Sequence, residues 1–311
     1  MQEEKQGHVI VLMSVYNGEQ YIEEQLKSIY RQSYSGPITV CIRDDGSGDE
    51  TCAKVRSVEK PENRDYLLWK GKNVGPAQSF LRLIQKVGEA DWYFYADQDD
   101  VWDADKIKVG VKAMGNSKEP ILYGCNYRIC DADLNVIRET GIVQELCLTP
   151  LKMFFYNQIP GCCMGMNRCM MDALKAMKLK SVMMHDCMTL SYALFAGTVI
   201  YNPLPAVSHR IHDRNVVGLG HKKIVLRAWI RDKYRLLKEK EAYDVCEMAS
   251  RFLRVTSKPE NRPYYKDILL LKNYRKNMRA TWKLLAHKDT KDCWYDRTTL
   301  SVRSKIFFRL F

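Results

Sequence analysis

No stretch of this 311-residue chain is both long and apolar enough for a membrane span. The longest run without a charged residue, Cys187–Ser208, is interrupted by Asn202, Pro203 and Pro205, which suit a bilayer core poorly. The opening MQEEKQGH is acidic and polar, unlike a signal peptide. There is no C-x-x-C pair, and neither Cys125–Cys130 nor Cys162–Cys163 has a zinc-site spacing. The eleven cysteines scatter through apolar runs, the pattern of reduced, buried thiols in a cytosolic protein. Neither G-x-G-x-x-G nor G-x-x-x-x-G-K-[ST] occurs, so a Rossmann dinucleotide site and a P-loop both lack support. Internal repeats are absent as well.

What is present is an ordinary globular composition, 46% hydrophobic and 28% charged. That excludes a disordered chain, a collagen-like repeat and a small disulfide scaffold. The net charge of +12 is unevenly placed. Residues 1–220 carry 25 basic and 27 acidic residues, whereas residues 221–311 carry 24 and 10. A near-neutral body thus bears a strongly basic C-terminal third, which points to an anionic surface partner.

The first hundred residues alternate between two hydrophobic periods. His8–Val15 is a near-continuous apolar run, expected of a strand buried on both faces. An amphipathic helix over Glu19–Gln32 follows, with Tyr21, Ile22, Leu26 and Ile29 on one side. The spacing then predicts strands at Ile38–Ile42, Tyr66–Trp69 and Trp92–Ala96. Helices are expected at Glu50–Val58, Pro76–Val87 and Ala104–Met114. Four such alternations imply an open, mostly parallel α/β sheet, whose ligands sit beyond the carboxyl ends of the strands.

After Pro120 the pattern is mixed. A strand is expected at Ile121–Tyr127, helices at Thr149–Asn157, Arg168–Met177 and Asp186–Phe195, and strands near Thr198–Tyr201 and Ala206–Ile211. From His221 onward the chain reads as mainly helical, with breaks near Pro259–Pro263 and Lys288–Asp292.

The strongest chemical signal is Asp97-Gln98-Asp99-Asp100, directly after the apolar strand. Crowded carboxylates repel one another unless something positive sits between them. A hard divalent cation, Mg2+ or Mn2+, solves that problem with oxygen ligands. A solvated turn capping the next helix is the competing explanation. Asp44-Asp45-Gly46-Ser47-Gly48-Asp49 ends the second strand near the same sheet edge. Turn chemistry accounts for its glycines and serine, but less well for two adjacent acids there. His185-Asp186 precedes an apolar helical run, so a helix N-cap is the competing explanation for Asp186, one compatible with a functional role.

Together these segments resemble glycosyltransferase family 2, inverting enzymes with the nucleotide-sugar GT-A fold. The resemblance rests on Val11–Gly18, Asp44–Asp49, Asn73-Val74-Gly75 and Asp97–Asp100, and runs from about His8 to about Gly218. Asn73–Phe80, Asp97–Trp102, His185-Asp186 and His212-x-x-Asn215-Val216-Val217-Gly218 are similar to its rhamnosyltransferase-type branch. His209-Arg210-Ile211-His212-Asp213 departs from that branch's usual Tyr-Arg-x-His-Gly.

The resemblance implies roles by position. Asp45 would read the nucleobase, Ser14, Tyr16 and Glu19 would line the nucleotide pocket, and Asp97 would lie near the ribose. Asn73, Gly75 and Ser79 belong to the same nucleotide-sugar surface. Asp99 and His212 would hold the metal, and Asp186 would be the catalytic base. An inverting transfer needs one base to take the acceptor proton, unlike the paired carboxylates of glycoside hydrolysis. Pro160-Gly161-Cys162-Cys163 matches an acceptor-side segment. The donor would be a dTDP- or UDP-sugar, with dTDP-rhamnose leading, and the acceptor a glycan or lipid-linked glycan of cell-surface polysaccharide. Without membrane spans or a Q-x-x-R-W segment, one sugar per encounter is expected rather than processive synthesis.

The expected organisation is a catalytic domain over residues 1–220 and a basic helical region over residues 221–311. In the second, Trp229, Tyr234, Trp282, Trp294 and Tyr295 interleave with lysine and arginine. Arg297–Phe311 gathers Leu300, Val302, Ile306, Phe307, Leu310 and Phe311 on one half of a helix, with Lys305 and Arg309 opposite. That is the composition of a helix lying on anionic lipid. A solvated basic surface and a nucleic-acid contact compete with it, and no recognisable motif supports nucleic acid. The expected location is cytoplasmic, peripheral on the inner face of the plasma membrane. Two other functions fit the same fold: a non-catalytic glycan- or membrane-binding module, and a nucleotidyltransferase.

Overall fold

The computed structural model describes residues 6–155, 157–212, 244–291 and 306. Its first half is a four-strand parallel layer. β1 (Val9–Val15) pairs in parallel with β2 (Ile38–Asp44), which pairs with β3 (Arg64–Lys70). On its other side β1 pairs in parallel with β4 (Trp92–Ala96). β4 is buried along its whole length and β1 everywhere but Ser14, which explains why both read as unbroken apolar runs.

Three helices link these strands: α1 (Ile22–Tyr30), α2 (Thr51–Ser57) and α3 (Pro76–Lys86). α1 buries Ile22, Leu26 and Ile29 as its spacing predicts. Tyr21 lies just ahead of the helix rather than on its apolar face. α3 begins at Pro76, whose fixed φ suits a first helical position. Gly75 before it has φ of +81°, a conformation that admits glycine without strain.

The second half of the sheet is mixed. β5 (Val101–Trp102) and α4 (Lys106–Met114) lead to β6 (Ile121–Cys130) and the short β7 (Val136–Arg138). Then come α5 (Pro150–Phe155), a 3-10 turn at Gly161–Cys163, β8 (Met164–Asn167) and α6 (Arg168–Ala176). α7 (His185–Ala196) and β9 (Thr198–Arg210) complete it. The strand order is β3-β2-β1-β4-β8-β6-β9-β5, with β7 also on β6. β8 runs antiparallel to β4 and β6, β9 runs parallel to β6, and β5 runs antiparallel to β9.

Two local readings change. The strands expected at Thr198–Tyr201 and Ala206–Ile211 are one 13-residue strand. It accommodates Pro203 and Pro205 through shifts of register against β6 around Asn126, the irregularity that a proline in a sheet requires. β5 has no counterpart in the sequence pattern, because two residues carry no periodicity.

The helical region that follows comprises α8 (Val245–Val255), a 3-10 turn at Pro259–Asn261, α9 (Tyr265–Asn273), α10 (Met278–Ala286) and α11 (Lys288–Lys291). Asp244 caps α8 by accepting from the amides of Cys246 and Glu247. Phe252 of α8 is fully buried against the rings of Phe154 and Tyr192, at centroid separations of 5.7 and 5.1 Å. Such a ring contributes about 1.5–3 kcal/mol through burial alone. These helices therefore share the core of the sheet domain. Among the described residues no helix is long and apolar enough to cross a membrane. The expected boundary at residues 220–221 and most of Arg297–Phe311 lie outside the described residues, as do Trp229, Tyr234, Trp294 and Tyr295. Ile306, the one residue of that segment described, is helical and fully buried.

Candidate functional site

Parallel pairing brings the ends of β1, β2, β3 and β4 to one sheet edge, and the loops beyond them are tied together by hydrogen bonds. The loop after β1 is tied to the loop after β2 by a set of hydrogen bonds. The Asn17 amide donates to Ser47 Oγ, the Gly18 amide to Thr51 Oγ1, the Glu19 amide to Asp49, and the Glu50 amide returns to Glu19 Oε2 at 3.0 Å. Glu19 therefore braces the loop, while Tyr16 stands 47% exposed at its tip. The Gln98 side chain clamps the Tyr16 backbone from both sides, accepting from its N–H at 2.8 Å and donating to its carbonyl at 3.1 Å. This fixes the acidic loop after β4 against the loop after β1.

Under this edge lies a buried polar network around Arg43. Its guanidinium pairs with Asp45, donates to Ser79 Oγ at 2.8 Å and to the Lys72 carbonyl at 3.0 Å. Ser14 Oγ in turn lies 2.5 Å from Ser79 Oγ. Asp45 is 2% exposed and accepts from the amides of Val74, at 3.0 and 3.1 Å, and Gly75, at 2.8 Å. Both carboxylate oxygens are thus occupied by protein donors, near the four-site capacity of the group. A base could be met only by displacing one of them. Asp45, Ser14, Gly75 and Ser79 come together as one assembly, with Asn73 exposed at its rim. Arg43 is the member that sequence reasoning missed, although an arginine within an apolar strand is the kind of residue that must find a partner.

The acidic loop is wrapped by the end of β9. His212 Nε2 lies 2.9 Å from Asp99 Oδ2, and the His212 ring stacks on Tyr21 at 5.0 Å. Arg210 donates to the Asp99 carbonyl at 2.9 Å and to Glu24 at 2.5 Å, and packs over Tyr21. His209 Nδ1 lies 2.8 Å from Asp100 Oδ1, and Asp100 is fully buried. Burial alone would lower the His209 pKa, but the Asp100 carboxylate holds it well above its usual value. Burial, followed by the charges of Asp100 and Asp99, lifts Asp97 to about 8. Asp99 is raised by the same causes, burial first, with His212 opposing.

The Asp99 carboxylate and the His212 imidazole, in contact beside the buried Asp97, are donor types that suit a divalent cation. Among the described residues the sets of three whose ligand atoms converge are Asp100, Cys162 and His209, and Asp267, His287 and Asp289. Asp99 and His212 form a hydrogen-bonded pair that belongs to neither set.

The third part of the site is the start of α7. Asp186 lies in the first helical turn, while the N-cap position belongs to Met184, which makes no side-chain cap. Asn157 Nδ2 donates to Asp186 Oδ2 at 2.8 Å, and the Cys187 amide to Oδ1 at 2.7 Å. Asp186 is also close enough to raise Asp97 and Tyr95 through its charge. Asn157 falls at the end of an expected helix, where nothing in the sequence marks it. His185 is buried between Phe80, stacked at 3.8 Å, and the edge of Tyr95 at 4.6 Å. Burial lowers its pKa to about 4, so the ring is neutral. A side chain on Gly161 would meet His185 Nε2 at 2.7 Å, and this close approach is what the small-residue turn provides.

Residues 10–176 match the profile of glycosyl transferase family 2. The chain is 30% identical over 224 residues to the dTDP-rhamnosyl transferase RfbG of Shigella flexneri, covering 66% of this chain and 73% of the relative. It is 28% identical over 158 residues to the UDP-Glc:alpha-D-GlcNAc-diphosphoundecaprenol beta-1,3-glucosyltransferase WfgD of Escherichia coli, covering 50% and 57% of the two chains. The fold is similar to Staphylococcus aureus TarS 1–349 in complex with UDP-GlcNAc, with a TM-score of 0.53 at 13% identity over 96% and 81% of the chains. It is similar also to the mannosyltransferase PcManGT of Pyrobaculum calidifontis in complex with GDP-Man and Mn2+, with a TM-score of 0.51 at 15% identity over 99% and 82%.

Proposed function

The chain belongs to glycosyl transferase family 2 and is a glycosyltransferase of GT-A fold; from that premise we propose that it is an inverting, metal-dependent enzyme that moves one sugar from a nucleoside diphosphate to an acceptor hydroxyl. L-rhamnose from dTDP-rhamnose is the leading donor, supported by the similarity to RfbG and by the rhamnosyltransferase-like motifs. A UDP-sugar is the alternative donor. The acceptor is a glycan or lipid-linked glycan, a class that the name of the WfgD relative supports. The product belongs to cell-surface polysaccharide. The basic C-terminal third supports docking on the anionic inner face of the plasma membrane.

What supports the reading is that the charge of Asp186 reaches Asp97, at the start of the acidic loop whose Asp99 meets His212. Two hydrogen bonds, from Asn157 and the Cys187 amide, fix the Asp186 carboxylate and leave lone pairs for an acceptor hydroxyl. As that hydroxyl attacks the anomeric carbon, Asp186 takes its proton. Tyr21 holds the His212 ring, and Arg210 holds the backbone of Asp99, so the donor-binding pair is set before substrate arrives. Mg2+ or Mn2+ bound by Asp99 and His212, with Asp97 beside them, would neutralise charge on the departing nucleoside diphosphate. On the donor side the Arg43 network sets the Asn73–Gly75 turn, and Ser14, Tyr16, Glu19, Asp45 and Ser79 belong to the proposed nucleotide pocket.

Product analysis tests the proposal. Incubation with dTDP-rhamnose and acceptor, with Mn2+ present, should release dTDP and give the inverted glycoside. Release of pyrophosphate would mark a nucleotidyltransferase, and no turnover with any nucleotide-sugar would favour a non-catalytic module.

A further inference from the structure

Asp100, Cys162 and His209 each bring one ligand atom to within 4.8 Å of the others. One ion at ligand distances of about 2.0–2.3 Å covers that span with small side-chain adjustments. Asp100 immediately precedes β5, Cys162 lies in the 3-10 turn ahead of β8, and His209 is near the end of β9. Asp100 is fully buried, Cys162 is 1% exposed, and the His209 side chain is 26% exposed. His209 Nδ1 lies 2.8 Å from Asp100 Oδ1, which also accepts from the Arg210 amide at 3.4 Å. The Cys162 thiol reaches the same imidazole, and Tyr127 meets the ring edge-on at 5.6 Å. Asp100 Oδ2, by contrast, is buried without a hydrogen-bond partner among the described residues. Lys106, the neighbouring buried cation, lies over the Trp102 ring at 3.6 Å, and its Nζ likewise makes no hydrogen bond among them.

A buried carboxylate oxygen left bare is costly, and calls for a partner. An imidazolium–carboxylate pair would satisfy Oδ1 alone and give the thiol no role. A Cys-His-Asp nucleophile would need an accessible thiol, which burial denies to Cys162. A cation held among the three side chains answers both. We propose that Asp100, Cys162 and His209 form a zinc site, separate from the Asp99–His212 pair. Thiolate, imidazole and carboxylate are the donors that zinc takes, whereas the hard cations Mg2+ and Mn2+ favour oxygen over sulfur. On binding, zinc displaces the proton of the Cys162 thiol and the one held between His209 and Asp100, and both pass to solvent. The partly exposed His209 marks the side from which the ion and a completing water enter. The ion ties the end of the acidic loop to β9 and to the Gly161–Cys163 turn. His209 stands where the related branch has tyrosine, so the family pattern does not supply this donor set.

Cobalt serves as the spectroscopic probe, because a thiolate ligand gives Co2+ a near-ultraviolet charge-transfer band. The full chain, reduced and stripped with EDTA, is exchanged into saturating Mg2+ and titrated with Co2+, then with Zn2+. The unsubstituted chain should develop the band to saturation at one Co2+ per chain, and Zn2+ should bleach it. Cys162→Ser and His209→Gln should each remove the band. Each should weaken zinc by more than the roughly 10–100-fold typical of a partner outside the ligand set. Zinc should raise the melting temperature of the unsubstituted chain but not of these variants. Asp99→Ala should keep the band, as should Cys147→Ser, which alters an exposed thiol. None of these readouts depends on a nucleotide or on turnover. Absence of the band in the unsubstituted chain would overturn the proposal, whatever the variants do. So would a band that survives Cys162→Ser, which would make another thiol the ligand. A band lost in Asp99→Ala would also overturn it, by placing the ion at the donor edge.

Discussion

Replacing Arg43 by methionine tests whether the donor edge depends on a buried ion pair. The side chains of Arg43 and Asp45 are 7% and 3% exposed, so solvent screens their attraction little. Removing the guanidinium leaves Asp45 charged beneath the edge, with only the amides of Val74 and Gly75 as donors. Breaking a buried pair in this way costs about 3–5 kcal/mol. For a domain of this size that corresponds to a fall of roughly 6–20 °C in Tm. The double variant Arg43→Met/Asp45→Leu removes both charges and should recover most of that loss, since apolar replacements of a buried pair are often neutral. Nucleotide affinity should not recover with it, because the turn at Asn73–Gly75 has lost its anchor. Thermal melts and dTDP titration of the two variants make the comparison. A drop below about 2 °C for Arg43→Met, or a double variant no more stable than the single, would refute the reasoning.

The other expectations concern the acid side. Asp186→Asn should lower kcat by about 10²–10⁴-fold while nucleotide-sugar affinity is kept, as read by turnover beside calorimetry; retained turnover would remove Asp186 as the base. Asn157→Leu deletes a charge-assisted hydrogen bond to Asp186 worth about 1.5–3 kcal/mol, and should cut kcat roughly 10–100-fold with little change in donor KM. Asp97 is lifted to about 8 by burial and then by Asp100 and Asp99. Because the native state holds this proton more tightly than the unfolded chain, metal-free protein should lose stability as pH rises from about 4 toward 8. Added Mn2+ should reverse that slope, and its affinity should rise over the same range, in melts recorded across pH. Gly161→Ala would place a methyl against His185 and should destabilise by about 1–3 kcal/mol, measured by denaturant unfolding.

Much of the fold was legible because the apolar period changes cleanly between strand and helix. β1, β4 and α3 carry unbroken or strongly amphipathic patterns, and the acidic clusters mark where the parallel strands end. The long β9 was harder to read, since Pro203 and Pro205 look like a break and only the register shift against β6 reconciles them with one strand. Among site residues, Asp99 and His212 lie 113 positions apart yet meet at 2.9 Å, a contact that came from family resemblance rather than from spacing. Arg43 and Asn157 went unseen, and Gln98 was read only as part of the acidic motif, because their importance lies in what they hold, a carboxylate or a backbone turn, and single polar residues give no periodic signal. Asp45 was visible as an acid at a strand end. Its saturation by protein donors was not, because that depends on how the loop after β3 folds back.

The central claim is that the edge formed by Asp97, Asp99 and His212 takes a nucleotide-sugar together with a divalent cation. Calorimetric titration of dTDP-rhamnose and UDP-sugars, with and without Mn2+, tests it most directly. Binding should require Mn2+, prefer one nucleotide, and be abolished by Asp99→Ala. Binding that is indifferent to both the metal and Asp99, or absent across the panel, would contradict it.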